Sequence, residues 1–214
     1  MHLKLYYAPM TCALVPYVAL TEAGAPFEVE NFNTRINAHR TPEFLAVNPK
    51  HKVPVLIIDG EPLTENLAIQ LWIARQFRDA RLLPTDPMSE IKAISVMSWI
   101  GSAIHPHLTH HPRPENHCDM PGSEEGVRRV GKRLLFEDFA LADRMLAGRV
   151  WFFDHYTTVD TYFYWAFRRA LSFKLDLASF AHCAAHFERV QQRTSVQQVL
   201  AHEKKVVEAF ARAT

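Results

Sequence analysis

Two adjacent side chains near the amino terminus carry reactive chemistry that the rest of the sequence must account for. Thr11 and Cys12 follow the alternating run Leu3-Lys4-Leu5-Tyr6-Tyr7 and the turn Ala8-Pro9-Met10, and they precede a helix-forming stretch from Ala13 to Glu22. A helix start exposes unpartnered backbone N–H groups and the positive end of the macrodipole, so a thiol held there ionises below its ordinary value of about 8.5. The same position also suits cysteine as a small buried apolar side chain, and the residues alone leave both readings open. The other cysteines, Cys118 and Cys183, bring the count to 3 at wide spacing, which fits reduced thiols better than a disulfide framework. Val15 stands where a C-x-x-C motif would place its second cysteine, so a disulfide at Cys12 requires an external thiol.

The elements that must position this pair follow from composition and patterning. The 214 residues hold 24 Lys and Arg against 23 Asp and Glu, a formal charge of +1, which excludes a bulk electrostatic pull toward nucleic acid or a membrane surface. The expected partner is a small molecule or a second copy of the chain. With no apolar run near about 18 residues and no leader-like opening, a cytoplasmic protein is expected.

The periodicity predicts a strand at Leu3–Tyr7, a helix from Ala13 stopped by Gly24, and a second strand at Phe27–Asn31. A short helix capped by Thr41-Pro42-Glu43 follows, then a hairpin from Val53 to Thr64 through Asp59-Gly60, then a helix from Thr64 to Phe77. That order, β-α-β-α-β-β-α, predicts an α/β domain over 1–78. A polar linker with two prolines spans 79–87. Beyond it strand signals vanish, and helical periodicity through Met88–His107, Glu124–Leu146, Val159–Leu171, Leu177–Gln192 and a piece from Ser195 predicts an all-α domain over 88–214. The fold class is thus α/β plus all-α.

Three motifs in order carry a family resemblance: Leu5-Tyr6-Tyr7-Ala8-Pro9-Met10-Thr11-Cys12, Asn48-Pro49-Lys50-His51-Lys52-Val53-Pro54-Val55, and Thr64-Glu65-Asn66-Leu67-Ala68-Ile69. A fourth, Thr157-Thr158-Val159-Asp160, resembles an N-capping box, Ser/Thr-x-x-Asp, that starts a central helix. With these, the chain resembles a cytosolic glutathione transferase over almost its whole length, and is most similar to the bacterial, cysteine-containing beta-type group. The resemblance implies a thioredoxin-like glutathione-binding domain, a helical domain bordering the acceptor site, a homodimer, and a detoxifying transferase that conjugates the glutathione thiolate to hydrophobic electrophiles. It also implies thiol-transfer or peroxidase side activity through Cys12, with no metal.

By that resemblance Val53, before a cis Pro54, pairs strand-like with the cysteinyl backbone of glutathione. Glu65 and Asn66 hold the γ-glutamyl end at a helix start, and Arg35 or Lys52, with Lys50 a weaker candidate, meets the glycyl carboxylate. Catalytic candidates are Cys12, Thr11 and His105, with Tyr6 or Tyr7 behind them. Met10, Ile104 and Tyr164 are candidates for the acceptor site. Departures from the family pattern stand at Asn66, where Ser is usual, at His51 and Lys52, where Gly and Gln are usual, and at Pro106, often Lys.

Alternative readings are a glutathione-dependent isomerase or dehalogenase on the same fold, and a non-catalytic scaffold. Retention of Cys12, Glu65 and Val53-Pro54 argues against the scaffold. The histidine-dense stretch His105, His107, His110, His111, His117 with Cys118 raises metal binding, but its spacing is irregular and Pro106–Ser123 holds four of the 13 prolines, so a loop bordering the acceptor site is preferred. The aromatic run from Trp151 to Phe167 reads as the core of the helical domain.

Overall fold

The computed structural model describes residues 1–212, which form two compact units: 1–82 together with the chain from Gln192 onward, and 83–191. The first begins with strand β1 (Leu3–Tyr7), helix α1 (Leu14–Glu22) and strand β2 (Glu28–Asn31). Two 3₁₀ turns at Thr34–Ile36 and Ala38–Arg40 lead into helix α2 (Pro42–Val47), the hairpin β3 (Val55–Ile58) and β4 (Glu61–Thr64), and helix α3 (Asn66–Gln76). The sheet order is β2-β1-β3-β4, a thioredoxin-like arrangement. β1 runs parallel to β2, with Leu5 opposite Val29, and antiparallel to β3, with Leu5 opposite Leu56. Alternation along β1 buries Leu3, Leu5 and Tyr7. Asp59 and Gly60 turn the hairpin at φ 49° and 96°, the doubly positive geometry that an Asp-Gly pair supplies at little cost.

The second unit holds helices α4 (Pro87–Trp99), α5 (His105–Thr109), α6 (Glu124–Leu146), α7 (Thr158–Ser172) and α8 (Ala181–Gln191). The continuous helix expected over Met88–His107 is interrupted by a π-helical turn at Ile100–Ile104. Pro106 accounts for the break, because it has no N–H to donate and its ring clashes with the carbonyl four residues back, at Ser102. The helix expected from Leu177 starts only at Ala181, since Asp176 accepts from Ala178 N at 3.1 Å and holds that stretch as a turn.

The aromatic run is core, as its pattern predicts. Phe139 of α6 lies 5.3 Å from the Phe167 ring and 5.9 Å from the Phe163 ring, and all three side chains are buried. The capping box is formed: Thr157 N and Thr157 Oγ1 both donate to Asp160 Oδ2, at 2.8 and 3.1 Å.

The last helix, α9 (Thr194–Arg212), packs within the first unit rather than with the helical one to which its periodicity alone assigns it. Its start is clasped to the end of α1. Arg193 Nε and Nη2 donate to the two Glu22 carboxylate oxygens at 2.8 and 2.9 Å, and Ser195 Oγ donates to Glu22 as well. Burial works to raise the Glu22 pKa, but the bonds from Arg193 and Ser195 and the guanidinium charge outweigh it, so the carboxyl stays below its usual range.

Candidate functional site

Three segments far apart in the chain meet in the first unit around Cys12. The thiol sits in the turn before α1, 6% exposed, with Sγ donating to the Val53 carbonyl at 3.8 Å. The Val53-Pro54 peptide is cis. From the third segment, Asn66 Nδ2 donates to the Cys12 carbonyl at 3.1 Å, while Asn66 Oδ1 accepts from Gln70 Nε2 at 2.9 Å. Both amides are buried. Asn66 therefore holds the cysteine turn from the first turn of α3, with its own side chain spent on that task.

The thiol is not the readily ionised group that a helix-start cysteine suggests. α1 begins at Leu14 with Ala13 as its N-cap, so Cys12 stands outside the first turn. Burial pushes its pKa up to about 12; hydrogen bonds from the backbone and Asn66 and the Lys52 charge oppose this without cancelling it, and Glu65 adds to it. Desolvation wins because the helix-end field acts over a single turn, whereas the surrounding apolar packing encloses the whole sulfur.

Thr11 is also committed. Its hydroxyl donates to Ala8 O at 2.7 Å and accepts from Ala13 N at 3.3 Å, which fixes the turn and uses the proton that a sulfur-stabilising hydroxyl would offer.

Glu65 caps α3 at φ 71°, a left-handed conformation that a β-carbon disfavours. Its exposed carboxylate accepts from Lys50 Nζ at 2.6 Å, and the same ammonium bonds Thr64 Oγ1 at 2.9 Å. Arg35 is exposed on the first 3₁₀ turn, where its backbone N–H meets Asn33 Oδ1. Lys52 is exposed, and its carbonyl accepts from Asn48 Nδ2 at 2.8 Å. Met10 adopts φ 62°, and its N–H donates to Glu203 Oε2 at 2.7 Å.

His105, Ile104 and Tyr164 belong to the second unit. The His105 ring meets the Trp165 ring edge-on at 4.6 Å, at the end of the π turn that contains buried Ile104. Tyr164 is fully buried, stacks on Phe187 at 5.0 Å and donates to Gln191 Oε1 at 3.3 Å. Among the described residues, no group of three or more His, Cys, Asp or Glu side chains converges as metal ligands would.

Two contributors escape a reading of sequence. Gln70 lies one helical turn after Asn66, a spacing whose signal was present but is common on any helix. Glu203 lies 191 positions from Cys12 in an amphipathic tail whose apolar residues, Val206, Val207 and Phe210, are the ones expected to pack on the body, yet it is itself 4% exposed and also accepts from Tyr7 OH at 2.7 Å.

The contrast among the thiols is directly measurable. Ser123 and Met120, which lie beside it, hold the Cys118 pKa below its ordinary value, and Cys118 is partly exposed. At neutral pH, iodoacetamide followed by peptide mapping is expected to label Cys118 roughly tenfold or more faster than Cys12, because the thiolate is the reacting species. Labelling in the reverse order would refute the assignment of a protonated thiol to Cys12.

Residues 1–75 match the family described as Glutathione S-transferase, N-terminal domain. The chain is 31% identical over 207 residues to "Glutathione S-transferase GstA" of Escherichia coli O157:H7, covering 94% of this chain and 98% of that protein. A solved sphingomonad glutathione S-transferase complexed with glutathione superposes with a TM-score of 0.83 at 30% identity, over 94% of this chain and 98% of that one. A bacterial beta class glutathione S-transferase from Sphingomonas chungbukensis gives 0.82 at 30% identity, over 94% and 98%. With the four-stranded sheet, the cysteine turn and this likeness along nearly the whole length, the chain belongs to the glutathione transferase family.

Proposed function

We propose that the protein is a glutathione transferase that conjugates the glutathione thiolate to hydrophobic electrophiles. The observation that carries this reading is the convergence of Cys12, the Val53 backbone and the Glu65-Asn66 helix start, bound together by the Cys12–Val53 and Asn66–Cys12 hydrogen bonds. A tripeptide thiol presents a sulfur, a cysteinyl backbone and two charged ends; Cys12 stands at the place of the sulfur, and the other three features each have a partner nearby. The Val53 backbone pairs with the cysteinyl unit as an added strand would. The α3 N-terminus favours the γ-glutamyl carboxylate, with Glu65 for its ammonium. Lys52 and Arg35 are the cations for the glycyl carboxylate.

In the reaction, the glutathione thiol, of ordinary pKa about 8.5, loses its proton to solvent or a base, and the sulfur lone pair attacks an electrophilic carbon. With a pKa pushed up to about 12, Cys12 keeps its own proton at neutral pH. Its role is then to donate S–H to the glutathione sulfur in place of Val53 O, which stabilises the thiolate without a covalent bond to the enzyme. Attack of Cys12 on glutathione disulfide, which would form the mixed disulfide and release one glutathione thiolate, is slow, since little of the thiol is thiolate. His105 is the catalytic candidate of the helical unit, and the family likeness implies a homodimer, testable by light scattering.

The test is retention on immobilised glutathione, followed by conjugation of a generic aryl halide. Wild type is expected to bind and conjugate. Glu65→Ala is expected to lose retention by roughly tenfold or more, the scale of a charge-assisted bond. Cys12→Ala is expected to bind but conjugate more slowly. Wild type that is no better retained than Glu65→Ala would sink the transferase reading and the isomerase or dehalogenase reading together. Binding without conjugation would favour the latter pair.

A further inference from the structure

The histidine-dense segment after His105 has no place in the chemistry above, yet its imidazoles are built into the seat of α5 on α6. His107 Nδ1 lies 2.7 Å from Asp138 Oδ2, and Trp99 Nε1 donates to the other oxygen of that carboxylate at 3.2 Å. His110 packs where Gly131 has no side chain: a β-carbon there would stand 2.3 Å from His110 Cβ and 2.8 Å from its Cγ. The ring of His117, which is exposed, stacks on that of His110, with centroids 3.7 Å apart and planes 16° from parallel. The stack ties the stretch 111–123, which holds a 3₁₀ turn at Pro114–Asn116 and is also met by Arg128 Nε of α6 at His111 O, back to the C-cap of α5.

The hydrogen bonds define the protons in this pair. His110 Nδ1 lies 2.9 Å from Pro106 O, and a carbonyl only accepts, so Nδ1 carries the hydrogen. The Thr109 hydroxyl donates to the same carbonyl at 2.7 Å, which leaves its lone pair to accept from His117 Nε2–H at 3.0 Å. Both bonds are complete with neutral rings, whose remaining nitrogens, His110 Nε2 and His117 Nδ1, bear lone pairs. One added proton is tolerated, since a cation against an aromatic face is favourable. Two added protons place like charges at stacking distance.

We propose that the His110–His117 stack is a proton-operated latch, which holds segment 111–123 against α5 while either ring is neutral and releases it when both are protonated. The direction follows from proton counting. The released segment takes up two protons and the closed one only one, so acid favours release. Burial, and then the His110 charge, lower the His117 pKa below its ordinary 6.5, against the pull of Glu115. The window of loss therefore opens as pH falls below that value.

The surrounding groups set the balance. In the segment itself, the His111 pKa is lowered by burial and by Arg128 and Lys132 of α6, so added positive charge on this side opposes closure. Within the segment, Arg113 lies 3.9 Å from Glu115 and shares the one acid that favours a protonated His117. His107, whose ring centroid lies 6.0 Å from that of His110, is paired with Asp138 of α6, so α5 keeps its seat while the segment beyond it lifts.

Hydrogen exchange of the full chain, read by mass spectrometry at about pH 7.5 and about pH 5 and corrected for intrinsic rates, tests the latch. Peptides covering 111–123 are expected to lose protection by roughly tenfold on acidification, while those from β3 and the centre of α6 hold theirs. His117→Phe keeps a ring to stack and cannot take a proton, so its segment is expected to respond little to pH. Unchanged protection in wild type, or a His117→Phe protein that opens as wild type does, would overturn the proposal.

Discussion

Asp160→Ala is expected to destabilise the helical unit by about 3–5 kcal/mol, the range for breaking up a buried, hydrogen-bonded carboxylate and stranding its partners. The Asp160 carboxylate is fully buried and accepts four bonds: Thr157 N and Thr157 Oγ1 on Oδ2, and on Oδ1 Phe152 N at 3.0 Å and His186 Nε2 at 2.9 Å. A helix cap alone is worth about 1 kcal/mol. The larger figure is expected because alanine leaves two buried backbone N–H groups and an imidazole N–H without acceptors, each costing about 1–3 kcal/mol. His186 has no second partner to fall back on among the described residues, since its buried Nδ1 is unbonded and Trp151, Phe152 and Phe163 surround the ring. His186→Phe gives the internal comparison. It removes one of the four donors and keeps the aromatic packing, so a loss of about 1–3 kcal/mol is expected. Urea unfolding followed by tryptophan fluorescence measures both. Asp160→Ala falling no further than His186→Phe would show that the His186 bond alone, rather than the cap and the whole four-bond network, sets the stability of this unit.

How much of this was legible in the sequence depended on whether the signal was local. The hairpin at Asp59-Gly60, the cap at Thr41-Pro42 and the capping box at Thr157–Asp160 are all encoded within four residues, and each formed where the local pattern places it. The end of α4 and the start of α8 depart from the sequence pattern for a common reason: apolar periodicity continues through Ile104 and from Leu177, while a single residue, Pro106 or Asp176, governs the backbone. The convergence of Cys12, Val53 and Asn66 could be read through resemblance, because each segment carries its own motif. The state of the thiol could not. A helix-start position favours ionisation and burial opposes it, and only packing decides which is larger. The acid that supports the turn from α9 was invisible because a glutamate among lysines reads as solvent-facing, and burial of one charged residue in such a stretch leaves no periodic trace.

That acid carries the other large expected effect. Glu203→Ala is expected to lower kcat/KM for aryl halide conjugation by roughly tenfold to a hundredfold, the scale on which displacement of a reacting group by about an ångström is felt. The carboxylate accepts from Met10 N and Tyr7 OH at 2.7 Å each, so it fixes the backbone two residues before Cys12. Met10 is held at φ 62°, a conformation that a side chain disfavours and that relaxes once the restraint is gone. Tyr7→Phe separates the two bonds. It leaves the Met10 contact intact, so a smaller kinetic loss is expected than from Glu203→Ala, although both remove a bond between β1 and α9. The discriminating comparison is kcat/KM against melting temperature across the two variants. If Glu203→Ala melts lower but conjugates as well as wild type, the carboxylate only anchors the last helix. If its activity falls well below that of Tyr7→Phe at similar stability, the bond to Met10 positions the cysteine turn.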